Sequence, residues 1–324
     1  MTDRKFVTAC IALALLVAGA SSPASAQSYP TKPIRLILPY NPGGIIDFVG
    51  RTLAQRLGTV LGQPVVAENR PGAGGMTGTS AVARAAPDGY TLLLMDPAVV
   101  INPTLQRDVP YKLSELRPVS IVGSSPLVMV VSAKTEVKSV KEFLEYAAKR
   151  RGKLNYSSAG IGTTPHLAGE LFNIKTGIDA THIPYRGSGP AVPDMMAGKI
   201  HFAFNTFVVA APFITDDRLR VIGAAGPKRL SAIPNVPTMA EAGMPGFEVI
   251  LWVGVFAPAG TPDPIVQRLN EALKESLNDA ELRGAFAKVG VEPDGMTPEA
   301  SATMVDAEFN RWAEVIKSAN IKGE

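Results

Sequence analysis

The chain contains a single cysteine, Cys10, near its start. Disulfide scaffolding is therefore excluded, and the fold must rest on a packed core. Histidine is nearly as scarce. His166, His182 and His201 are the only three, and they lie too far apart for the close ligand pair that a helix or hairpin metal site needs. His201 alternates with Phe202 and Phe204 and reads as a strand residue with a satisfied side chain. No Gly-x-Ser-x-Gly nucleophile elbow occurs, and Gly187-Ser188-Gly189 reads as a flexible turn. An excess of one charge is also missing: 32 Lys and Arg stand against 29 Asp and Glu, a net charge of +3. That balance argues against nucleic acid or an anionic membrane as partner. No internal repeat or low-complexity segment interrupts the chain.

Long apolar runs are confined to the beginning. Arg4 and Lys5 precede the apolar stretch Phe6 to Ala20, and Ala24-Ser25-Ala26 offers a small-residue cleavage site before Gln27. The run is shorter than the ~20 residues of a membrane span. Residues 1–26 are thus expected to be a signal peptide, and cleavage would remove Cys10. Val7-Thr8-Ala9-Cys10 looks like a lipoprotein acceptor site, but it precedes the apolar run rather than following it, so that reading is rejected. The exported product is expected to be soluble.

Glycine and proline, by contrast, are plentiful: 30 and 27 residues, scattered at element junctions. Short β-rich runs alternate with amphipathic helices, which predicts α/β units and mostly parallel sheets, and the length makes two domains the default. Expected strands are Ile34–Leu38, Val65–Glu68, Thr91–Met95, Leu127–Ser132, Leu154–Ser157, Ala180–Ile183, Ile200–Phe204, Arg220–Ala224 and Val249–Phe256. Ser139-Val140-Lys141-Glu142 is a capping box opening a helix. Asp263-Pro264 and Thr297-Pro298 each place a cap residue before a first-turn proline. Ile265, Val266, Leu269, Leu273 and Leu277 then form an apolar stripe, read as a core face.

Three glycine turns carry the chemistry. Pro39-Tyr40-Asn41-Pro42-Gly43-Gly44-Ile45-Ile46-Asp47 joins the first strand to a helix expected over Phe48 to Leu61. Glycines admit a ligand close to the backbone, and the first helical N–H groups have no partner inside the helix, so the turn suits an anion; Asp47 is placed to cap the helix. Ser157-Ser158-Ala159-Gly160-Ile161-Gly162-Thr163-Thr164-Pro165-His166 repeats the pattern before a helix expected from Pro165 to Lys175. Two such turns facing each other would clamp one carboxylate. His166 either faces that ligand or packs behind it.

The remaining turn, Gly72-Ala73-Gly74-Gly75-Met76-Thr77-Gly78, imitates a dinucleotide fingerprint, with Asp96 as its ribose-binding acid. Its third glycine comes one residue late, and the following helix, Thr79 to Ala86, is short. An exported protein is also not expected to meet soluble nicotinamide cofactors. A dinucleotide-dependent enzyme is therefore the weaker reading, and no cofactor is expected.

Many ordered segments resemble one family. They include Tyr29-Pro30-Thr31-Lys32-Pro33-Ile34, the Pro39–Asp47 turn, Glu68-Asn69-Arg70-Pro71-Gly72-Ala73-Gly74-Gly75 and Pro87-Asp88-Gly89-Tyr90-Thr91-Leu92. Further matches are Gly152-Lys153-Leu154-Asn155-Tyr156-Ser157-Ser158-Ala159-Gly160, Pro184-Tyr185-Arg186-Gly187-Ser188 and Val236-Pro237-Thr238-Met239-Ala240-Glu241-Ala242-Gly243. Across essentially all of residues 27–324, the chain resembles the periplasmic solute-binding proteins of tripartite tricarboxylate transporters, the Bug proteins.

The resemblance implies a two-domain α/β Venus-flytrap fold of the periplasmic-binding-protein kind, type II-like, with mixed sheets and helices on both faces. It implies a discontinuous first lobe, residues 27–127 and 251–324, and a second lobe, residues 128–250, with a ligand captured as the cleft shuts. The expected cargo is an aromatic or aliphatic mono- or dicarboxylate. The expected partners are integral membrane transporter subunits or, alternatively, a signalling receptor reading the closed form. The protein is expected to be a periplasmic monomer and not an enzyme. Carried over, the ligand turns are Tyr40, Asn41, Gly43, Gly44, Ile45 and Ile46 on one side, with Ser158, Ala159, Gly160, Gly162, Thr163, Thr164 and His166 on the other. Tyr185, Arg186 and Asn205 are expected to line the second lobe, with Arg186 serving either a second carboxylate or the surface.

Two departures from the family pattern bear on the ligand. Asn205 stands where an aspartate is frequent, and an amide both donates and accepts. Asp96 stands where small or hydroxyl residues are usual; it either meets an ammonium or hydroxyl at the cleft edge or merely caps a turn. Ile45 and Ile46 favour a ligand with an apolar body.

Overall fold

The computed structural model describes residues 29–215 and 217–323, so the expected signal peptide and Cys10 lie outside the described residues. Its first lobe opens as alternating strands and helices: β1 (Ile34–Leu38), α1 (Ile45–Leu61), β2 (Val65–Asn69), α2 (Met76–Ala83), β3 (Thr91–Met95) and α3 (Ala98–Leu105). The long strand β4 (Leu116–Ser132) then leads into α4 (Val140–Ala148), β5 (Leu154–Ser158), α5 (Thr164–Thr176) and β6 (Ala180–Pro184). They are followed by α6 (Val192–Met196), β7 (Phe202–Thr206), α7 (Phe207–Ala210) and β8 (Leu219–Ala224). The chain returns along β9 (Ile250–Pro258) and ends with α8 (Asp263–Leu277), α9 (Ala280–Lys288), β10 (Glu292–Pro293) and α10 (Pro298–Ser318).

The strands run in the order β2-β1-β3-β9-β4-β7-β5-β6, with β8 and β10 also paired to β4. Parallel pairs form both flanks, β1 with β2 and β3, and β5 with β6 and β7. Antiparallel pairing of β9 and β4 fills the middle. β4 lies against β9 from Leu116 to Pro126, then against β7 and β8 from Leu127 onward. The handover is fixed by two hydrogen bonds on Leu127, whose N–H donates to Val249 O at 2.9 Å and whose carbonyl accepts from Ala225 N–H at 2.7 Å.

The sequence pattern located only the second half of β4. Residues 116–126 carry Arg117, Pro118, Gly123 and Pro126, and the register slips between Pro118 and Ser120 and again between Ile121 and Gly123. A proline lacks the ladder donor and a register slip breaks the two-residue alternation, so periodicity could not reveal this stretch. The two-residue β10 escaped for want of length.

Central strands read as unbroken apolar runs because helices cover both faces. Leu92, Leu93, Leu94 and Met95 are all fully buried. α8 presents Val266, Leu269, Leu273 and Leu277 to the core as its stripe predicts, each worth roughly 1.5–3 kcal/mol on burial. The second lobe centres on rings: Phe172 lies 5.6 Å from Phe202 and 5.3 Å from Phe204.

Of the caps expected at Ser139, Asp263 and Thr297, two form. Ser139 accepts from Glu142 N–H at 3.2 Å and Thr297 from Ala300 N–H at 3.2 Å. The Glu142 carboxylate reaches Lys138 N–H instead of the cap residue's own. Asp263 does not cap: it begins α8 as its first residue, after Pro262, and its carboxylate takes Arg117 at 2.6 Å.

Candidate ligand-binding site

β1 ends at Leu38, and the chain turns through Gly43, whose φ of 96° suits glycine. α1 starts at Ile45, earlier than the sequence suggested, with Gly44 as an N-cap that has no side chain to bond. The first helical bond is Phe48 N–H to Gly44 O at 3.0 Å. The N–H groups of Ile45 and Ile46 therefore have no partner among the described residues. Asp47 lies inside the helix's first turn rather than capping it. It accepts Gly43 N–H at 3.3 Å, and Arg51 and Asn69 hold its other oxygen.

A small cavity, ≈ 20 Å³ in volume, lies between the lobes. The first lobe lines it with Tyr40, Gly44, Ile45, Ile46, Asp96 and Leu251, and the second with Ala159, Pro165, Ser188, Asn205 and Thr206. A Cβ at Gly44 would meet no atom within 4 Å, so that backbone stands open.

Asp96 both lines the cavity and caps a turn. Its Oδ1 accepts Ala98 N–H at 2.9 Å, capping the turn into α3, and Tyr40 O–H at 3.1 Å. It is 3% exposed, and burial pushes its carboxyl up to about 6. Burial, reinforced by the Asp96 charge, holds the Tyr40 hydroxyl well above its usual range, so Tyr40 remains a neutral donor. Across the cavity, Asn205 is the last residue but one of β7, and its Oδ1 accepts Ser188 O–H at 2.6 Å. Its Nδ2 has no partner among the described residues.

The second turn contributes less than its sequence promised. Only Ala159 and Pro165 reach the cavity lining, and proline has no N–H to offer. Three of the loop donors are spent locally. Gly160 N–H goes to Ser158 Oγ at 3.0 Å, Thr163 N–H to Gly160 O at 3.3 Å, and Gly162 N–H toward His166 Nδ1 at 3.4 Å. His166 packs behind the turn, its ring 4.3 Å from that of His182, which in turn meets Ser158 Oγ at 2.7 Å. Burial pushes His166 down to about 4; His182 falls to about 3 through burial and then its neighbour. Thr164 is buried with an unpartnered hydroxyl, outside the lining.

Asn41, Gly43, Gly160, Gly162, Tyr185 and Arg186 also lie outside the lining, and several of them hold the lobes together instead. Asn41 N–H donates to Arg186 O at 2.9 Å, while the Arg186 side chain is exposed. Tyr185 O–H goes to Asp194 at 2.7 Å. A Cβ on Gly160 would come within 3.1 Å of Gly74 Cα, and one on Gly74 within 2.1 Å of Ile161 O. Gly74 thus presses on the opposite lobe, and Gly75 packs against Met95 and Tyr40. The dinucleotide-like glycines are occupied by these contacts and form no open phosphate cradle.

Sequence reasoning missed Ser188, Thr206, Pro165 and Leu251 as lining residues. Ser188 had a signal, a hydroxyl between two glycines; Leu251 had none, because a strand leucine looks the same whether it faces core or cavity.

The match to known proteins is extensive. The model of the tripartite tricarboxylate transporter family receptor matches residues 49–321. Protein BugT of Bordetella pertussis (strain Tohama I) is 38% identical over 317 residues, covering 97% of this chain and 97% of BugT. The solved structure of periplasmic binding protein BugD aligns with a TM-score of 0.88 at 33% identity, over 91% of this chain and 100% of that one. R. palustris Rpa4515 with adipate gives a TM-score of 0.88 at 33% identity, over 91% and 99% of the two chains. The fold is the two-domain periplasmic-binding-protein fold anticipated from the sequence. On sequence and fold together, the chain belongs to the Bug family of tripartite tricarboxylate transporter receptors.

Proposed function

We propose that the protein is a periplasmic receptor that captures a small organic carboxylate between its lobes and delivers it to a tripartite tricarboxylate-type membrane transporter. One observation carries the reading: the cavity between the lobes is lined by the open N-terminus of α1 on one side and by Asn205 on the other. Positive helix ends and unspent N–H groups suit a carboxylate without an arginine. The similarity to Rpa4515, solved with adipate, points the same way.

In this reading the lobes are residues 27–127 with 251–324, and 128–250, and the handover of β4 at Leu127 supports that division. The receptor works as a monomer, and cleavage near Ala26 releases it into the periplasm. It binds without turning its ligand over.

The test is a thermal-shift panel of carboxylates, adipate and malate among them, on protein purified from the periplasm. A ligand at a hundred times its Kd adds about 2.7 kcal/mol to stability, a rise of several degrees. Scattering should show compaction with that ligand. A panel in which no carboxylate raises the melting temperature would count against the proposal.

A further inference from the structure

Asp96 is the only charged side chain lining the cavity, and it is almost fully buried. Two other shielded carboxylates each have a cation. Asp47 holds Arg51 at 2.8 Å, and Glu308 holds Arg311 at 2.5 Å. Asp96 receives neutral donors only: Tyr40 O–H and Ala98 N–H on Oδ1, and its own backbone N–H. No other residue bonds Oδ2 among the described residues. A buried anion without a cation is costly, and the side chains lining this cavity supply none.

Resting on the receptor reading above, we infer that the missing cation is the ligand's: the cargo is an amino acid, with its ammonium on Asp96 Oδ2 and a carboxylate on the N-terminus of α1. Both ends of a zwitterion then find their complement within one cavity. Ile45 and Ile46 flank the open helix end, and the unspent Asn205 Nδ2 faces a second acceptor from the other lobe. A dicarboxylate without an ammonium would bring only negative charge to Asp96, and the site would have to take up a proton to hold it.

The groups around Asp96 do not supply that compensation themselves. Tyr40 donates to it, and Tyr111, whose hydroxyl goes to Val99 O at 2.9 Å, lies close enough to feel its charge; burial pushes both hydroxyls upward, so both stay neutral. Asp96, pushed up to about 6, is mostly ionised at pH 7 in the empty protein.

Calorimetry on two matched pairs decides the matter: adipate against 2-aminoadipate, and malate against aspartate, at pH 7 in two buffers of different ionisation enthalpy. The amino member should bind at least tenfold tighter in each pair that binds, without net proton uptake. Asp96→Asn should weaken it ten- to a hundredfold, the loss of one charge-assisted hydrogen bond. The member without the ammonium should hold or tighten. If adipate or malate binds as tightly as its amino counterpart, or binds with proton uptake, the inference is overturned and the receptor reading stands. Parallel losses in both members after the substitution would also overturn it. If neither class binds, the receptor reading falls too. The wild-type ranking requires no variant, so a poorly folding Asp96→Asn would not blunt the test.

Discussion

The turn from Pro39 to Asp47 presents three consecutive residues to the cavity, Gly44, Ile45 and Ile46, whereas the turn from Ser157 to His166 presents Ala159 and a proline. Both are strand, glycine loop and helix start, and both sit at the lobe interface. At the first, helical donors face open space. At the second, the Ser158 hydroxyl, the Gly160 carbonyl and the His166 imidazole absorb three of the loop donors. What lies beneath them also differs: an uncompensated carboxylate under the first, a stack of neutral imidazoles under the second. A glycine turn therefore keeps donors open to a cavity only when nearby groups leave those donors alone.

That contrast breaks most directly at Gly44. Gly44→Val should abolish ligand binding, because the new side chain stands in the cavity. The melting temperature should stay near wild type, since the backbone is extended there and a Cβ meets nothing within 4 Å. Calorimetry showing unchanged affinity would remove the first turn from the site.

The buried charges should give the two turns opposite responses to acid. His166 has a folded value near 4 against an ordinary 6.5. The unfolded chain therefore binds more protons between those values, and stability falls as pH drops from 6.5 to 4, by roughly 3 kcal/mol from this group. His166→Phe should flatten that decline in chemical denaturation while leaving ligand affinity within a factor of about two. A tenfold affinity loss would show that the imidazole reaches the ligand after all.

Asp96 runs the other way. Its folded value of about 6 exceeds the ordinary 3.8, so the folded state binds more protons in that window. Acidification from 6 to 3.8 stabilises the protein by up to about 3 kcal/mol through this group, and above pH 6 the full cost of its burial is present. Asp96→Asn should therefore raise the stability of the empty protein at pH 7, with the gain vanishing below pH 4. A variant less stable than wild type at pH 7 would mean that the carboxylate's hydrogen bonds outweigh its desolvation.

Closure itself is probed at Gly74. Gly74→Ala places a Cβ against Ile161 O only when the lobes meet. The expected result is at least a tenfold loss of affinity and no compaction by scattering at the ligand concentration that saturates wild type. The cost to the empty protein should be roughly 1–2 kcal/mol, from a left-handed alanine. Normal compaction would show that the contact yields. The smallest effect belongs to Arg186→Ala, expected to change affinity less than about twofold, because the carbonyl and not the exposed side chain joins the lobes.

Local pattern alone determined a good deal of this protein. β1 and β3 match the expected ranges residue for residue, because five-residue apolar runs between turn residues leave little choice of structure. The caps at Ser139 and Thr297 follow from bonds made within three residues, and the ordered motifs identified the family. The site was legible as a neighbourhood, from Tyr40 to Ile46 and at Asp96 and Asn205. Tertiary structure decided what each residue there does. His166 was assigned by His182, Tyr185 by Asp194, and Gly74 by a carbonyl of the other lobe. The full length of β4 needed β9, a strand far along the chain, to pair its proline-broken half. Propensity and capping act over a few residues, whereas the fate of a donor, a carboxylate or a strand edge depends on partners that only folding brings near. So the sequence carried the glycine turns, and the packing around them chose which one would open its helical donors to the cavity.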